Sequence, residues 1–137
     1  ASGDRDAARV AWETALRINE RTASAANNLA WLYVESGTDL DTAQQLAQSA
    51  RNLMPDQPEI NDTLGWVYYR KKQHTDAIQY LGRAVQHGAD NPTFHFHLGM
   101  AYAQAGEDGR ARTSLTKALE LDPKFSEAEQ ARATLAR

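Results

Sequence analysis

The sequence predicts an all-α solenoid of antiparallel helix hairpins with about eight helices. The first observation is a repeat, because six positions recur with the same residue type 34 residues further on. The second is composition: 42% of the 137 residues are hydrophobic, enough for a continuous core. Stacked hairpins with this period bury their apolar faces only against their neighbours. The recurring pairs are Leu64 and Leu98, Gly65 and Gly99, Tyr68 and Tyr102, Ala77 and Ala111, Leu81 and Leu115, and Ala84 and Ala118.

The first segment of the chain is assigned by the period to the second helix of a truncated repeat. Ala8 and Trp12 lie 103 residues before Ala111 and Leu115, which is three periods of 34 plus one inserted residue. Residues 1–22 are therefore predicted to form this helix. Because Trp12 is large, apolar and at a core position, we interpret the segment as cut from a longer array. The alternative is a cap, which needs a polar outer face.

Three hairpins and a last helix are predicted to follow. Ser24 is a suitable cap for the first of these helices, and Asp39 or Asp41 for its partner. Pro58 and Pro92 are well placed at the first position of the next two hairpins. The last segment is rich in Ala, Glu and Arg and has no aromatic residue, which is typical of a solvated cap. The predicted units are 23–57, 58–91 and 92–125 for the hairpins and 126–137 for the C-terminal capping helix.

The pattern Leu64-Gly65-x-x-Tyr68, followed by Ala77-x-x-x-Leu81 and Ala84, resembles the tetratricopeptide repeat, whose period is 34. The resemblance covers nearly the whole chain. It departs from the family where the signature tryptophan is replaced by Ala26, Asn61 and His95. The resemblance implies a right-handed superhelix in which the first helices of the repeats line a concave surface.

Catalytic and metal chemistry find little support in the sequence. There is no cysteine, and His95 and His97 project about 200° apart on a predicted helix, so they cannot chelate one metal. The eight glycines fall singly and form no phosphate loop. The basic cluster 70–72 closes a helix and complements its dipole. We therefore expect no enzyme activity, no cofactor, no metal, no nucleic-acid partner and no direct membrane insertion.

A second apolar stripe runs along the first helix of each repeat, away from the face that packs on the partner helix. In the middle repeat, Asp62, Trp66, Tyr69 and Arg70 follow one another at i, i+4, i+7 and i+8. The same stripe continues in the flanking repeats. The predicted peptide-binding residues are Asn27, Trp31, Val34, Asp62, Trp66, Tyr69, Arg70, Phe96 and Met100.

The resemblance implies that this stripe faces the concave groove. We expect a non-catalytic scaffold that binds a peptide or protein segment there, with the large rings as anchors and polar residues orienting the ligand. The alternative is that neighbouring repeats cover the rings, which then only widen the core. Some family members clamp a chaperone-tail carboxylate with Lys, Asn and Arg. The basic part of that clamp is missing here, where the matching places hold Asn27, Trp31, Asn28 or Thr63, Thr93 and His97.

Two other functional interpretations stay open. In one, the array is a spacer or self-association module that pairs through Val10 and Trp12 of its truncated first helix. In the other, it is a regulatory appendage of an enzyme in a longer parent chain. The repeats are also loosely similar to bacterial tetratricopeptide proteins of envelope assembly or exopolysaccharide export, which suggests the periplasmic side of a bacterial envelope.

Overall fold

The structure, a computed structural model, describes residues 2–137, with the side chains of residues 4, 7, 8, 10, 11 and 14 and of every residue from 17 onward. Within this part the secondary structure consists of seven α-helices. None of these helices is both long enough and apolar enough to cross a lipid bilayer. The helices are α1 (Ser2–Ser36), α2 (Leu40–Leu53), α3 (Pro58–Arg70), α4 (His74–His87), α5 (Pro92–Gln104), α6 (Asp108–Leu121) and α7 (Ala128–Leu135).

Consecutive helices pack as hairpins, which confirms the predicted all-α helical repeat solenoid. Helix α1 packs on α2, α3 on α4 and α5 on α6. The hairpins then stack, with α2 against α3 and α4 against α5. The first helices also contact each other directly, α1 with α3 and α3 with α5. These three helices therefore share one face of the stack.

The structure contradicts the prediction that one helix covers residues 1–22 and that Ser24 caps another. Helix α1 is one continuous helix of 35 residues, and Ser24 lies inside it rather than at a cap. The physical reason is local, since no glycine or proline occurs between Asp4 and Ser36. The other hairpins are separated at Pro58 and Pro92, which begin α3 and α5.

Polar side chains near the starts of α3 and α5 fix the turns between hairpins. The Asn61 side chain is buried and donates Nδ2–H to the carbonyl oxygens of Pro55 at 3.0 Å and Gln57 at 3.1 Å. One repeat later, His95 Nε2 donates to the carbonyl of Ala89 at 2.8 Å, again six residues upstream. These are two of the positions where the family tryptophan is absent. In this chain they carry side chains that hold the preceding turn.

Close helix packing within the middle hairpin depends on Gly65. A Cβ atom on Gly65 would lie 2.6 Å from Cγ and 2.9 Å from the backbone nitrogen of Leu81. Gly82 lies on the partner helix with nothing within 4 Å of its Cβ position. We expect Gly65→Ala to lower the free energy of unfolding by about 1 to 3 kcal/mol, because α4 has to shift. Gly82→Ala should raise it by about 0.5 to 1 kcal/mol through helix propensity.

Urea unfolding followed by circular dichroism measures both glycine variants under identical conditions. Opposite signs are expected for the two changes. If both variants were more stable than the parent, α3 and α4 would not be in the close contact described.

Candidate functional site

Two adjoining cavities lie on the face shared by α1, α3 and α5. The first has a volume of about 390 Å³ and lies between α1 and the turn that leads into α3. The second has a volume of about 400 Å³ and is lined by all three helices. Asn27, Asn28 and Glu59 line both cavities. We call the two cavities together the α1–α3–α5 groove.

Three of the predicted binding residues line this groove. Asn27 and Trp31 contribute from α1, and Asp62 contributes from α3. The Trp31 ring is partly buried and tilts against the His97 ring, with the ring centroids 5.8 Å apart. Leu32 lies beside it with 64% of its surface exposed. The groove thus presents an accessible indole and an aliphatic side chain at its mouth.

Trp66 and Tyr69 do not line the groove, and their rings pack against neighbouring rings instead. Their rings stack with centroids 4.1 Å apart, and Trp66 stacks on His97 at the same distance. Both side chains are partly buried against the hydrophobic core. Burial raises the pKa of the Tyr69 phenol, and the charge of Arg70 opposes this rise. The phenol therefore stays neutral at physiological pH.

Four other predicted residues lie outside the groove. Val34 and Phe96 are 0% and 1% exposed, so neither is available as an anchor in this structure. Met100 is 9% exposed and packs with Phe96 against residues of α6 and α7. For these side chains the structure matches the alternative in which neighbouring helices cover the stripe. Arg70 is exposed, and its guanidinium lies against Gly37 in the connection between α1 and α2.

The floor of the groove contains a buried acid–histidine pair. Nδ1 of His97 lies 2.8 Å from Oδ1 and 2.9 Å from Oδ2 of Asp62. The two residues are 3% and 5% exposed. A buried carboxylate needs such a partner. Asp62, which the sequence suggested as an orienting group for a ligand, is thus committed to His97, and the sequence interpretation did not identify His97 as part of this pair.

Asn27 carries an unsatisfied acceptor within the groove. Its Oδ1 atom is buried and has no hydrogen-bond donor among the described residues. Buried amide oxygens are usually paired, and because this atom is closed off from solvent it is not exposed to a ligand in this arrangement. Asn28 and Thr93 add further polar side chains to the lining.

Metal chemistry is not indicated by the arrangement of ligating side chains. No group of three or more His, Asp or Glu side chains able to hold a metal ion is found within the part of the chain that the structure describes.

Comparison with known proteins agrees with this geometry. A family model described as tetratricopeptide repeat matches residues 63–124. A TPR repeat-containing protein of Pseudomonas aeruginosa is 36% identical over 77 residues. The match covers 56% of this chain and spans only 13% of the length of that relative.

Solved structures give the same fold at low sequence identity. The Yersinia enterocolitica type III secretion chaperone SycD, in complex with a peptide of the translocator YopD, has a TM-score of 0.74 at 22% identity, covering 85% of this chain and 91% of that one. The second TPR domain of human RPAP3, in complex with an HSP70 peptide, has a TM-score of 0.74 at 11% identity, covering 89% and 98%.

Proposed function

We propose that this chain, which matches the tetratricopeptide repeat model over residues 63–124 and shares the fold of such repeats, is a non-catalytic scaffold that binds a peptide or protein segment in the α1–α3–α5 groove. Helical repeat stacks with this fold include proteins whose structures were solved with bound peptides. That likeness supports a protein-interaction role in general. The proposal that binding occurs in the α1–α3–α5 groove rests on the residues that line the groove.

The observation that carries the proposal is an accessible indole at the edge of an open cavity. Trp31 is partly buried and lines the cavity of about 400 Å³, together with the exposed Leu32. Buried aromatic anchors supply most of the affinity at peptide interfaces, and pockets of this size hold one or two side chains. An apolar ligand side chain can therefore pack on the Trp31 ring with little rearrangement of the stack.

Polar groups around the anchor are positioned to orient a ligand backbone. Asn27, Asn28 and Thr93 line the same cavity. An extended or helical segment has N–H and C=O groups or side chains that require such partners. Hydrogen bonds at these residues would fix the register of a segment whose affinity comes from the apolar contact.

The test uses short random peptides displayed on phage, selected on the immobilised chain and then synthesised. We expect Trp31→Ala to weaken binding of the enriched peptides about 30-fold, because the anchor contact is lost. Fluorescence anisotropy of labelled peptides measures the change in Kd. Since Trp31 contributes little to the packed core, the midpoint of urea unfolding should change only slightly.

Leu53→Ala is the matched control. Leu53 is an apolar residue of α2, 38% exposed and outside the groove. Its truncation should leave peptide affinity unchanged. Equal affinity of the parent and Trp31→Ala chains for every enriched peptide would rule out the groove as the binding site.

Self-association is a second candidate, favoured by apolar residues exposed along α1. Val10 and Ile18 are 54% and 56% exposed. The side chain of Trp12, which the sequence interpretation placed in this contact, lies outside the described residues. A monomeric mass at every concentration in sedimentation equilibrium would exclude this candidate. A regulatory role beside an enzyme in a longer protein stays a proposal about that protein.

A further inference from the structure

The α1–α3–α5 groove carries acidic side chains at its rim. Glu20 lines the first cavity, and Glu59 lines both. Both residues are exposed, and neither forms an ion pair with any residue that the structure describes. The third acid, Asp62, is buried and paired with His97. Two carboxylates at the rim are thus available to a ligand.

Basic residues do not offset these charges at the groove. Of the residues that the structure describes, those lining either cavity include no lysine and no arginine. The groove therefore offers an excess of negative charge. A ligand that matches it must supply positive charge and donors.

We infer that the α1–α3–α5 groove selects cationic segments, in which an apolar anchor lies next to lysine or arginine. This inference rests on the proposed peptide-binding function. The apolar side chain would occupy the cavity beside Trp31, and the cation would lie at the adjoining cavity between Glu20 and Glu59. Because Glu59 borders both cavities, anchor and cation would be near neighbours in the ligand.

The negative charges at the rim should attract basic segments and also disfavour acidic ones. Like charges brought together at an interface are disfavoured, so acidic segments are rejected while basic ones are attracted. Interactions between exposed charges are largely screened beyond about 10 Å at moderate salt. The preference should therefore weaken as the salt concentration rises.

The experiment selects random displayed peptides on the parent chain and on Glu20→Lys/Glu59→Lys in parallel. Peptides enriched on the parent chain should carry an excess of lysine and arginine beside an apolar residue. The double variant should bind them about 3- to 30-fold more weakly, because two ion pairs are replaced by like-charge contacts. High salt should reduce the difference between the two chains.

Glu120→Lys/Glu129→Lys is the control, because it changes the net charge equally at exposed positions outside the groove. It should keep the cationic preference of the parent chain. Circular dichroism checks folding, and Glu20→Gln/Glu59→Gln replaces the lysine variant if that variant does not fold.

The outcomes separate this inference from the proposed function. Enriched peptides that require Trp31 but show no cationic excess would overturn the inference and leave peptide binding intact. An excess that survives in the Glu20→Lys/Glu59→Lys or glutamine variant would overturn it as well, since the attraction would then come from elsewhere on the protein. Failure to enrich any peptide that requires Trp31 would overturn both.

Discussion

Asp62→Ala should lower the free energy of unfolding by about 2 to 4 kcal/mol, because it leaves the buried His97 ring without its acceptor. The Asp62 carboxylate lies 2.8 Å and 2.9 Å from Nδ1 of His97, and the pair joins α3 to α5. Truncation also opens space beneath the groove. Urea unfolding of the variant and the parent chain measures the loss.

Two companion variants distinguish the lost hydrogen bond from a general effect of mutation. Asp62→Asn keeps a side-chain oxygen at the same place and should be less destabilised than Asp62→Ala. Asp56→Ala removes an exposed carboxylate from the turn before α3 and should change stability by less than about 0.5 kcal/mol. If Asp62→Ala were as stable as Asp56→Ala, the pair would not hold α3 and α5 together.

Trp66→Ala should lower the free energy of unfolding by about 2 to 4 kcal/mol. This loss is smaller than that expected for a fully buried tryptophan, because the ring is partly exposed. The indole stacks on Tyr69 and on His97, with ring centroids 4.1 Å apart in each case. It also packs against the buried cluster formed by Val34, Ala43 and Val67. Removing it leaves a cavity where three helices meet. The measurement is again urea unfolding.

Trp31→Ala is the natural comparison, since the two tryptophans occupy equivalent places in the repeat. Among the described side chains Trp31 makes one tilted ring contact, so its truncation should cost much less stability than that of Trp66. Trp66→Phe should recover part of the stacking energy. Equal unfolding midpoints for the parent chain and Trp66→Ala would show that the ring lies free in solvent.

The repeat architecture could be predicted because its signals are local. Residues at a fixed spacing, such as Gly65 and Gly99, mark close helix contacts, and Pro58 and Pro92 mark helix starts. The continuity of α1 was not predicted. The repeat period and the candidate cap Ser24 placed a boundary there, but no glycine or proline interrupts the segment and the helix continues through it.

The binding stripe was only partly predictable because periodicity does not show what covers each repeat. Trp31 and Met100 occupy the same place in their repeats. The former borders an open cavity, whereas the latter lies under α7, with Thr134 Oγ1 3.5 Å from its sulfur. Position in the stack therefore decides which members of the stripe contact solvent.

His97 had a signal in the sequence that the interpretation did not use. Helix α5 is apolar nearly all round, and the eight consecutive residues Phe94–Ala101 are buried. A histidine inside such a helix must have a polar partner. An acidic residue about one repeat away, such as Asp62, is a natural candidate for that partner. The distance between Asp62 and His97, and the burial of both side chains, could be learned only from the structure.

The most direct test of groove binding is the set of intermolecular NOEs between the labelled chain and its highest-affinity enriched peptide. We expect NOEs from a peptide apolar side chain to the Trp31 indole, the Leu32 methyl groups and Thr93. These residues line one cavity on the α1–α3–α5 face. NOEs confined to exposed residues of the second helices, such as Leu53 and Thr113, would contradict the proposed site.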